Sequence, residues 1–356
     1  MSVSGLVVRQ VSLRLGAFAL REVSFAVPAG EILVLLGANG AGKSVCLETI
    51  AGFHRTDTGR ICIAGRDVTR LAPEQRRVAF MVQDFGLFPH LSVAENVAIG
   101  ATGKGNGVDA DALLARFGIA HLAPAYPAHL SPGEKQRAAL ARAMASRPSV
   151  YLFDEPFAAL DAATAEPLSH ELAAFARGSG APAVFVTHDR TEALSLADRV
   201  AVIENGAIQQ HGPAAEVFAR PSSIAIARLL GIENLLSGYV AAETHDAFCI
   251  RVGTTSIEAA KNGTLLVSPQ PVTLVVRAEN VHLLPPQSPG APNRLRARVV
   301  DLRRSGPLWR VSLDCGFSLL AYALPQTARA LALAPGSSVD AEIDAAAIHL
   351  LAATPK

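Results

Sequence analysis

The sequence predicts two domains, an α/β domain over residues 1–232 and a small all-β domain over residues 233–356. Three observations predict this fold class. The first part has nearly uninterrupted apolar runs, a Gly-rich loop joins one of those runs to a helical pattern, and short Val-, Leu- and Thr-rich segments take over after residue 232. With 356 residues, the chain is long enough for two hydrophobic cores, since a domain usually takes roughly 100 to 200 residues.

Four apolar runs in the first domain indicate strands of a parallel sheet that is buried on both faces. They are EILVLL at 31–36, VAFMVQ at 78–83, SVYLFD at 149–154 and PAVFVT at 182–187. Helical patterns lie between some of them, at KSVCLETIAGF, 43–53, and at GEKQRAALARAMAS, 133–146. Near the end of the domain, Asn205-Gly206 between two extended runs predicts a β-hairpin.

The second domain is predicted from segments with strand composition that are separated by Pro, Gly, Ser and Asn. They read FCIRVG, LLVS, VTLVVRA, LRARVVDL, WRVSLD and VDAEIDAAAIHLL. These segments predict a small all-β region.

Charge and cysteine usage exclude several classes of protein. With 32 basic and 31 acidic residues, the chain has no charge excess that would draw it onto nucleic acid or an anionic membrane. Cys46, Cys62, Cys249 and Cys315 form no CxxC pair and no zinc-site spacing, which favours free thiols in a reducing compartment. The sequence has no signal-peptide pattern and no apolar window long enough for a bilayer, so we expect a soluble, cytoplasmic chain.

A phosphate-binding loop is predicted at GANGAGKS, which fits GxxxxGK[ST] directly after a strand and at the start of a helix. Its backbone N–H groups can surround an anion, and the helix N-terminus adds positive dipole. Lys43 supplies charge to the β- and γ-phosphates, and Ser44 offers a hydroxyl to Mg²⁺. The predicted loop residues are Gly37, Ala38, Asn39, Gly40, Ala41, Gly42, Lys43 and Ser44.

Two adjacent carboxylates end the buried strand SVYLFDE and are expected at its exposed tip, because a strand interior has no packing use for them. Asp154 is placed to hold Mg²⁺ through a water molecule, and Glu155 to accept a proton from the attacking water. Such acids can work beside a triphosphate at neutral pH when a cation offsets their charge.

Six motifs in one order resemble those of the ABC-type ATPases, and this resemblance covers residues 1–232. They are GANGAGKS, VQD with Gln83, LSPGEKQR, YLFDEP, AALD with Asp161 and VTHD with His188. The resemblance implies a P-loop NTPase fold that binds ATP with Mg²⁺ and hydrolyses it. It also implies that Gln83 contacts Mg²⁺ or the attacking water, that His188 touches the γ-phosphate and holds Glu155, and that Asp161 acts across a dimer interface.

The same resemblance implies a second copy of the chain as a partner. Two subunits stack head to tail, and the signature stretch LSPGEKQR of one closes over the nucleotide bound by the other. This isologous arrangement gives two equivalent ATP sites, neither of which is complete in one subunit.

The signature stretch departs from the family's usual LSGGQ at Pro132 and Glu134. SPGE predicts a helix start with Ser131 as N-cap, Pro132 as the first helical residue and Glu134 in a capping box. Pro suits the first position because the N–H it lacks would be unpaired there. The family uses the Ser hydroxyl and the N–H of the second Gly, and Ser131 and Gly133 keep both. We expect Pro132 to be tolerated, with a weakened signature as the alternative.

The residue that stacks on adenine is open at this stage. Members of the family often have an aromatic residue upstream of the phosphate loop. In LRLGAFAL the aligned position is Leu15, and Phe18 is the alternative.

The segment QDFGLFPHLSVAENVAIG, 83–100, is similar to an importer's form of the region that follows the Gln loop, where a helix of the membrane subunit docks. The implied partners are transmembrane permease subunits and, indirectly, a solute-binding protein, with no nucleic acid. Such a subunit lies at the cytoplasmic face of the inner membrane, held there by the permease.

The β-rich end resembles the OB-like TOBE accessory domain of importer ATPases, and its last part resembles the small β module of molybdate importers. The segments IENLLSGYV, VRAENVHLL and NRLRARVVDLRRSGPLWRVSLDCG carry this resemblance. It favours molybdate or tungstate as solute, ahead of sulfate, ferric iron, polyamine or sugar. Gly290, Ala291, Pro292 and Asn293 stand where the module commonly has Ser-x-Arg-Asn. This departure argues against regulatory oxyanion binding and leaves dimerisation as an equal alternative.

A soluble ABC ATPase of DNA repair or translation is the alternative from another class. Such a protein would more naturally carry a long coiled-coil insertion or a second phosphate loop, and the sequence has neither.

Overall fold

A computed structural model describes residues 5–82, 85–101, 109–158, 160–261, 266–287 and 292–352. Its contacts divide the chain into two compact units, Met1–Phe218 and Ala219–Lys356. The predicted domain boundary after residue 232 stays a prediction. None of the helices in these ranges is long and apolar enough to span a bilayer.

The first unit combines ten strands with most of the helices. Its strands are β1 Gly5–Leu15, β2 Phe18–Pro28, β3 Ile32–Leu36, β4 Thr58–Ile63, β5 Arg66–Asp67, β6 Val78–Met81, β7 Val150–Asp154, β8 Ala183–Thr187, β9 Arg199–Glu204 and β10 Ala207–Pro213. Its helices are α1 Lys43–Ala51, α2 Val93–Gly100, α3 Ala110–Arg116, α4 Pro132–Ala145, α5 Ala162–Ser179, α6 Arg190–Leu196 and α7 Ala214–Ala219. Short 3-10 turns lie at Pro73–Gln75, Ala120–Leu122 and Pro127–His129.

A six-stranded sheet in the order β10-β9-β3-β8-β7-β6 forms the centre of the first unit. All four predicted apolar runs lie in it as strands, and β3, β7 and β8 are buried along their whole length. These three strands pair in parallel, with Leu36 opposite Thr187 and Asp154 opposite Val186. The segments that follow them therefore meet at one edge of the sheet.

A second, antiparallel sheet in the order β2-β1-β4-β5 was not predicted from the sequence. The alternation of buried and exposed residues in LVVRQVSLRL is the signal that could have revealed it. Leu47 and Ile50 of α1 belong to the same hydrophobic cluster as residues of β1 and β3, so the helix packs in the core between the two sheets.

Arg76 fixes the C-terminal end of α1. This side chain is 3% exposed, and its guanidinium donates to the carbonyl oxygens of Thr49 at 3.0 Å and Ile50 at 2.8 Å. It also donates to Leu71 at 2.8 Å and Thr69 at 3.0 Å. A cation is favourable here because the last carbonyls of a helix lack intrahelical partners and carry partial negative charge.

The predicted hairpin at Asn205-Gly206 is confirmed, since β9 and β10 pair antiparallel around it. Both turn residues have positive φ, 50° and 75°. The type I′ turn of a two-residue hairpin requires positive φ at both positions. Gly206 also donates its N–H to the Ala41 carbonyl at 2.9 Å and accepts from the Arg21 N–H at 2.8 Å. A Cβ at Gly206 would lie 1.9 Å from the Ala19 carbonyl oxygen, so the tip has no room for a side chain.

The second unit is built on two five-stranded sheets whose strand pairs are all antiparallel, in the orders β13-β12-β11-β14-β20 and β15-β19-β16-β17-β18. The strands are β11 Asn234–Glu243, β12 Ala247–Val252, β13 Thr255–Ala260, β14 Pro271–Val276, β15 Val281–Leu284, β16 Arg294–Ser305, β17 Leu308–Asp314, β18 Ser318–Ala323, β19 Ser338–Ile343 and β20 His349–Ala352. The helices α8 Ile224–Leu229 and α9 Pro325–Ala330 and the 3-10 turns Ala278–Asn280 and Ala345–Ala347 complete it.

One hydrophobic cluster contains residues of both sheets. The two sheets therefore share a core, in agreement with the predicted all-β domain. Of the predicted segments, LLVS at 265–268 is wrong as a strand over its described part, since residues 266–268 form none. Leu266 is buried in the core and Val267 is 74% exposed, but the nearby Pro269 has no N–H to donate to a strand ladder.

Candidate functional site

The loop between β3 and α1 borders a cavity of about 450 Å³ at the carboxyl edge of the central sheet. Gly42, just before α1, has a φ of 106°, and a Cβ there would lie 2.5 Å from the Phe18 ring. The loop thus needs glycine both for its backbone conformation and for the approach of Phe18. The described residues that line the cavity are Phe18, Asn39, Gly40, Gly42, Lys43, Ser44, Val45, Asp154 and Glu155.

Lys43 lies at the base of the loop and is 6% exposed. Its Nζ donates to the carbonyl oxygens of Gly37 at 2.8 Å and Ala38 at 3.0 Å. Burial lowers the pKa of Lys43, and the charges of Glu155 and Asp154 act in the opposite direction. The ammonium is therefore poorly solvated, which favours its pairing with an anion such as a phosphate.

Asp154 and Ser44 form the part of the site that could hold a metal ion. Asp154 ends β7, is 7% exposed and is hydrogen-bonded to the Ser44 side chain. Burial raises the pKa of Asp154, and the bond to Ser44 opposes that shift.

This donor set fits Mg²⁺, which binds proteins through one or two oxygen ligands and takes the rest of its shell from phosphates and water. A site made wholly of protein ligands would need more side chains. No group of three or more His, Cys, Asp or Glu residues suited to a metal occurs within the described ranges.

Glu155 follows Asp154 in a left-handed conformation, with a φ of 48°. A non-glycine residue pays of order 1 kcal/mol or more for such a conformation. Its N–H donates to the Val186 carbonyl at 3.1 Å, and its Oε1 lies 3.2 Å from His188 Nδ1. The Glu155 side chain is 21% exposed and that of His188 64%. A carboxylate held in this way can accept a proton from a water molecule in the cavity.

The structure adds a carboxyl group that the sequence analysis missed. This group is the side chain of Glu192, in the first turn of α6. It interacts electrostatically with His188 and Glu155, and it is hydrogen-bonded to the Thr187 side chain. Burial raises the pKa of Glu192, against the effect of that hydrogen bond. Its position in the helical turn directly after VTHD is the signal that could have identified it.

Phe18, and not Leu15, lines the cavity among the described residues. The two are cross-strand partners at the β1–β2 turn. Both side chains are half-buried and pack against the same hydrophobic cluster. The aromatic ring that could meet a base is therefore that of Phe18.

The signature stretch begins α4 as predicted. Ser131 is the N-cap, Pro132 the first helical residue, and Ser131 and Glu134 form a capping box. Glu134 Oε2 accepts from the Ser131 N–H at 2.7 Å and from its hydroxyl at 2.8 Å. These bonds hold the pKa of Glu134 below its usual range, the backbone bond having the larger effect. Neither Ser131 nor Gly133 is among the described residues that line the cavity.

Two other predicted site residues are Asp161 and Gln83. Asp161 is the N-cap of α5, where its carboxylate accepts from the Thr164 N–H and hydroxyl, both at 3.0 Å. It does not line the cavity in the described part of the chain. Gln83 lies outside the described residues, and its predicted role stays a prediction.

In the second unit, Asn293 has a structural task. Its amide accepts from the Glu258 N–H at 2.6 Å and donates to the Glu258 carbonyl at 2.7 Å. It therefore joins the edge strand β13 to the start of β16 and is 7% exposed. Pro292 precedes it, whereas Gly290 and Ala291 lie outside the described residues.

Comparisons with known proteins place this geometry in a family. The sequence model of the ABC transporter family matches residues 20–158, and that of the TOBE domain matches residues 289–350. A sulfate/thiosulfate import ATP-binding protein of Chromobacterium violaceum is 38% identical over 94% of this chain and 92% of its own length. A molybdate/tungstate import ATP-binding protein of Pyrococcus horikoshii is 36% identical over 96% of this chain and 99% of its own.

A solved structure supports the same assignment for the first unit. The dimeric ATP-binding cassette MJ0796, in a post-hydrolysis state bound to ADP and Pi, superposes with a TM-score of 0.53 and is 26% identical. The match covers 59% of this chain and 98% of the cassette. Together with the phosphate loop, the Asp154–Glu155 pair and His188 at one sheet edge, these relatives show that the chain belongs to the ABC transporter family and is an ATPase of its import branch.

Proposed function

We propose that this ATPase is the energy-coupling subunit of a membrane importer for a small oxyanion, with molybdate or tungstate ahead of sulfate. Two copies sandwich two ATP molecules, and transmembrane permease subunits hold the pair at the cytoplasmic face of the inner membrane. The main support for the proposal is that a single chain does not bring all the predicted ATP-site residues together. The cavity contains the loop and both carboxylates, whereas the signature residues Ser131 and Gly133 lie apart from its lining.

In the reaction, Glu155 accepts a proton from water as the water oxygen bonds to the γ-phosphorus and the bond from that phosphorus to the leaving oxygen of ADP breaks. His188 keeps the carboxylate of Glu155 directed at the water through their 3.2 Å contact. Lys43 pairs with the β- and γ-phosphates. Mg²⁺ bound near Ser44 and Asp154 would neutralise charge on the phosphate oxygens.

The partner subunit supplies the rest of the site in this proposal. Gly133 is in the first turn of α4, where N–H groups have no intrahelical acceptor and the helix dipole favours an anion. The Ser131 hydroxyl and the Gly133 N–H of one subunit then contact the γ-phosphate held by the other. Asp161 belongs to the same interface, and Gln83 reports the state of the nucleotide to the permease.

The proposed solute rests on relatives of two kinds. The relatives from Pyrococcus and Thermococcus are named for molybdate and tungstate, and those from Chromobacterium and Mycobacterium for sulfate and thiosulfate. All four substrates are oxyanions, which disfavours ferric iron, polyamine and sugar. Because the Asn293 amide already bonds Glu258, it is not free to bind an oxyanion, and the β domain serves the dimer rather than solute sensing.

Reconstitution with candidate permease and solute-binding subunits of the same organism tests the proposal. ATP turnover in proteoliposomes would be measured with molybdate, tungstate, sulfate, thiosulfate, ferric iron, spermidine and a sugar in turn. We expect the largest stimulation with molybdate or tungstate. Stimulation by sulfate alone would transfer the solute assignment to sulfate, and stimulation by DNA or RNA without a permease would overturn the importer role.

Substitution of Pro132 by glycine tests the signature. We expect turnover to stay within about threefold of the native value, because Pro132 occupies a first helical position that needs no N–H. Steady-state phosphate release at saturating ATP measures it. A gain above roughly tenfold, or about 1.4 kcal/mol in the barrier, would mean that Pro132 weakens the signature.

A further inference from the structure

Arg142 joins the signature helix to the segment that follows Gln83. Arg142 lies in α4, and its Nη1 donates to the Gly86 carbonyl at 2.6 Å while its Nη2 donates to the Phe85 carbonyl at 3.1 Å. Its guanidinium also lies 5.5 Å from the centroid of the Phe88 ring. One side chain thus contacts three residues, Phe85, Gly86 and Phe88, within the four-residue segment 85–88.

The segment needs such a support, since Phe85 and Gly86 have φ values of 61° and 58°. A left-handed phenylalanine is unfavourable by itself and persists where the surroundings hold it. Burial lowers the pKa of Arg142, yet an arginine stays charged in proteins. Its bonds to the two carbonyls are therefore charge-assisted and stronger than neutral ones.

A second anchor holds the far end of the same segment. Asn96 of α2 is 0% exposed and accepts from the Phe88 N–H at 2.8 Å. Its side-chain nitrogen donates to the carbonyls of Phe88, Leu91 and Ser92 at 3.0 to 3.1 Å. Residues 88–92 are therefore fixed to α2.

The helices α2 and α4 meet at Arg142 itself. A Cβ at Gly100 of α2 would lie 2.3 Å from the Arg142 carbonyl oxygen, so the two backbones are in direct contact there. α4 is a continuous helix of 14 residues, and Arg142 lies 11 residues after Ser131, or about 16 Å along the axis at ~1.5 Å per residue. The helix and the contacts of Arg142 therefore form a continuous connection from Ser131 to residues 85–88.

We propose that Arg142 is a positioning residue that couples the signature helix to the permease contact, by transmitting the movement of α4 to residues 85–88. The exposed ring of Phe88, 40% accessible, is the part of this segment that meets the permease. This inference rests on the importer function proposed above. It assigns Arg142 no contact with nucleotide, and its effect is on stimulation of the ATPase and not on the free subunit.

The test compares Arg142→Ala, Arg142→Lys and Arg116→Ala with the native chain. Arg116 is a matched control, because it also combines a hydrogen bond, to Glu171 Oε1 at 2.8 Å, with a ring contact, 5.2 Å from the centroid of Phe175, and lies outside the signature stretch. ATP turnover is measured for each free subunit and for each reconstituted importer with solute. We expect Arg142→Ala to keep free-subunit turnover within about twofold and to lose at least tenfold in the stimulated rate.

Arg142→Lys should recover part of the stimulation, because an ammonium can hold one carbonyl but has no planar fork for two. Arg116→Ala should keep both rates. Full stimulation of Arg142→Ala, or an equal loss in Arg116→Ala, would overturn the role of Arg142. If the native importer shows no stimulation at all, the proposed function fails instead, and the two failures are distinguishable.

Hydrogen–deuterium exchange gives a second readout that needs no permease and also applies to Arg142→Lys if the alanine variant does not fold. In the native chain, we expect ATP with Mg²⁺ to change protection both around Ser131 and at residues 85–88. In the Arg142 variants, the change around Ser131 should persist while that at 85–88 shrinks. Equal changes at 85–88 in native and variant chains would contradict the link.

Discussion

Replacement of Glu155 by glutamine is expected to lower ATP turnover by at least 100-fold while ATP still binds. The amide keeps the size of the carboxylate but cannot accept the proton of the attacking water, and general-base catalysis contributes about 10² to 10⁴ in rate. Because the phosphate loop and the signature helix are unchanged, the variant should accumulate as an ATP-bound dimer. Single-turnover hydrolysis and size-exclusion chromatography with Mg²⁺ and ATP would measure the two effects.

Glu74→Gln is a suitable control for this experiment. Glu74 lies in the exposed turn Pro73–Gln75, away from the residues that line the cavity. It should keep native turnover and show no stabilised dimer. Normal hydrolysis by Glu155→Gln would remove Glu155 from the role of base, and a strictly monomeric ATP-bound variant would remove the sandwich.

Lys43→Ala is expected to weaken ATP binding by about 100-fold, or roughly 2.7 kcal/mol. Each hydrogen bond from a charged donor contributes about 1.5 to 3 kcal/mol, and Lys43 would donate to two phosphate groups. Its present partners, the carbonyls of Gly37 and Ala38, lie in the phosphate loop itself. Calorimetric titration with a slowly hydrolysed ATP analogue and Mg²⁺ would measure the change.

Lys261→Ala removes a lysine of the second unit that pairs with Glu243 at 2.6 Å, and it serves as the matched control. It should bind ATP with native affinity. If Lys43→Ala bound ATP as tightly as this control, the cavity at the phosphate loop would not be the nucleotide site.

The strands of the central sheet could be predicted because strands that are buried on both faces have nearly continuous apolar sequences. β3, β7 and β8 are short apolar runs, and the motifs that follow them meet because parallel strands end at one edge. The antiparallel sheet β2-β1-β4-β5 was missed, since β1 and β4 are distant in sequence and their register depends on long-range pairing.

The sequence motifs predicted the individual residues of the candidate site, but not all of the contacts that these residues make. Leu15 and Phe18 are cross-strand partners, so alignment alone could not choose between them. The capping role of Asp161 and the bonds of Asn293 to Glu258 depend on partners that sequence spacing does not identify. The half-buried carboxyl group of Glu192 could not be identified from the sequence, because a single acid in a helix is usually solvated.

The β9–β10 turn ties together regions of the chain that carry no common motif. Through its N–H and carbonyl, Gly206 is bonded to the phosphate loop and to the strand that bears Phe18. Mutations at this position would consequently look like nucleotide-binding defects in a genetic screen, although Gly206 is not among the described residues that line the cavity. The turn is also in close contact with the Ala19 carbonyl. Insertions that lengthen it would disturb this contact, so the hairpin is a poor place to attach a tag or a reporter.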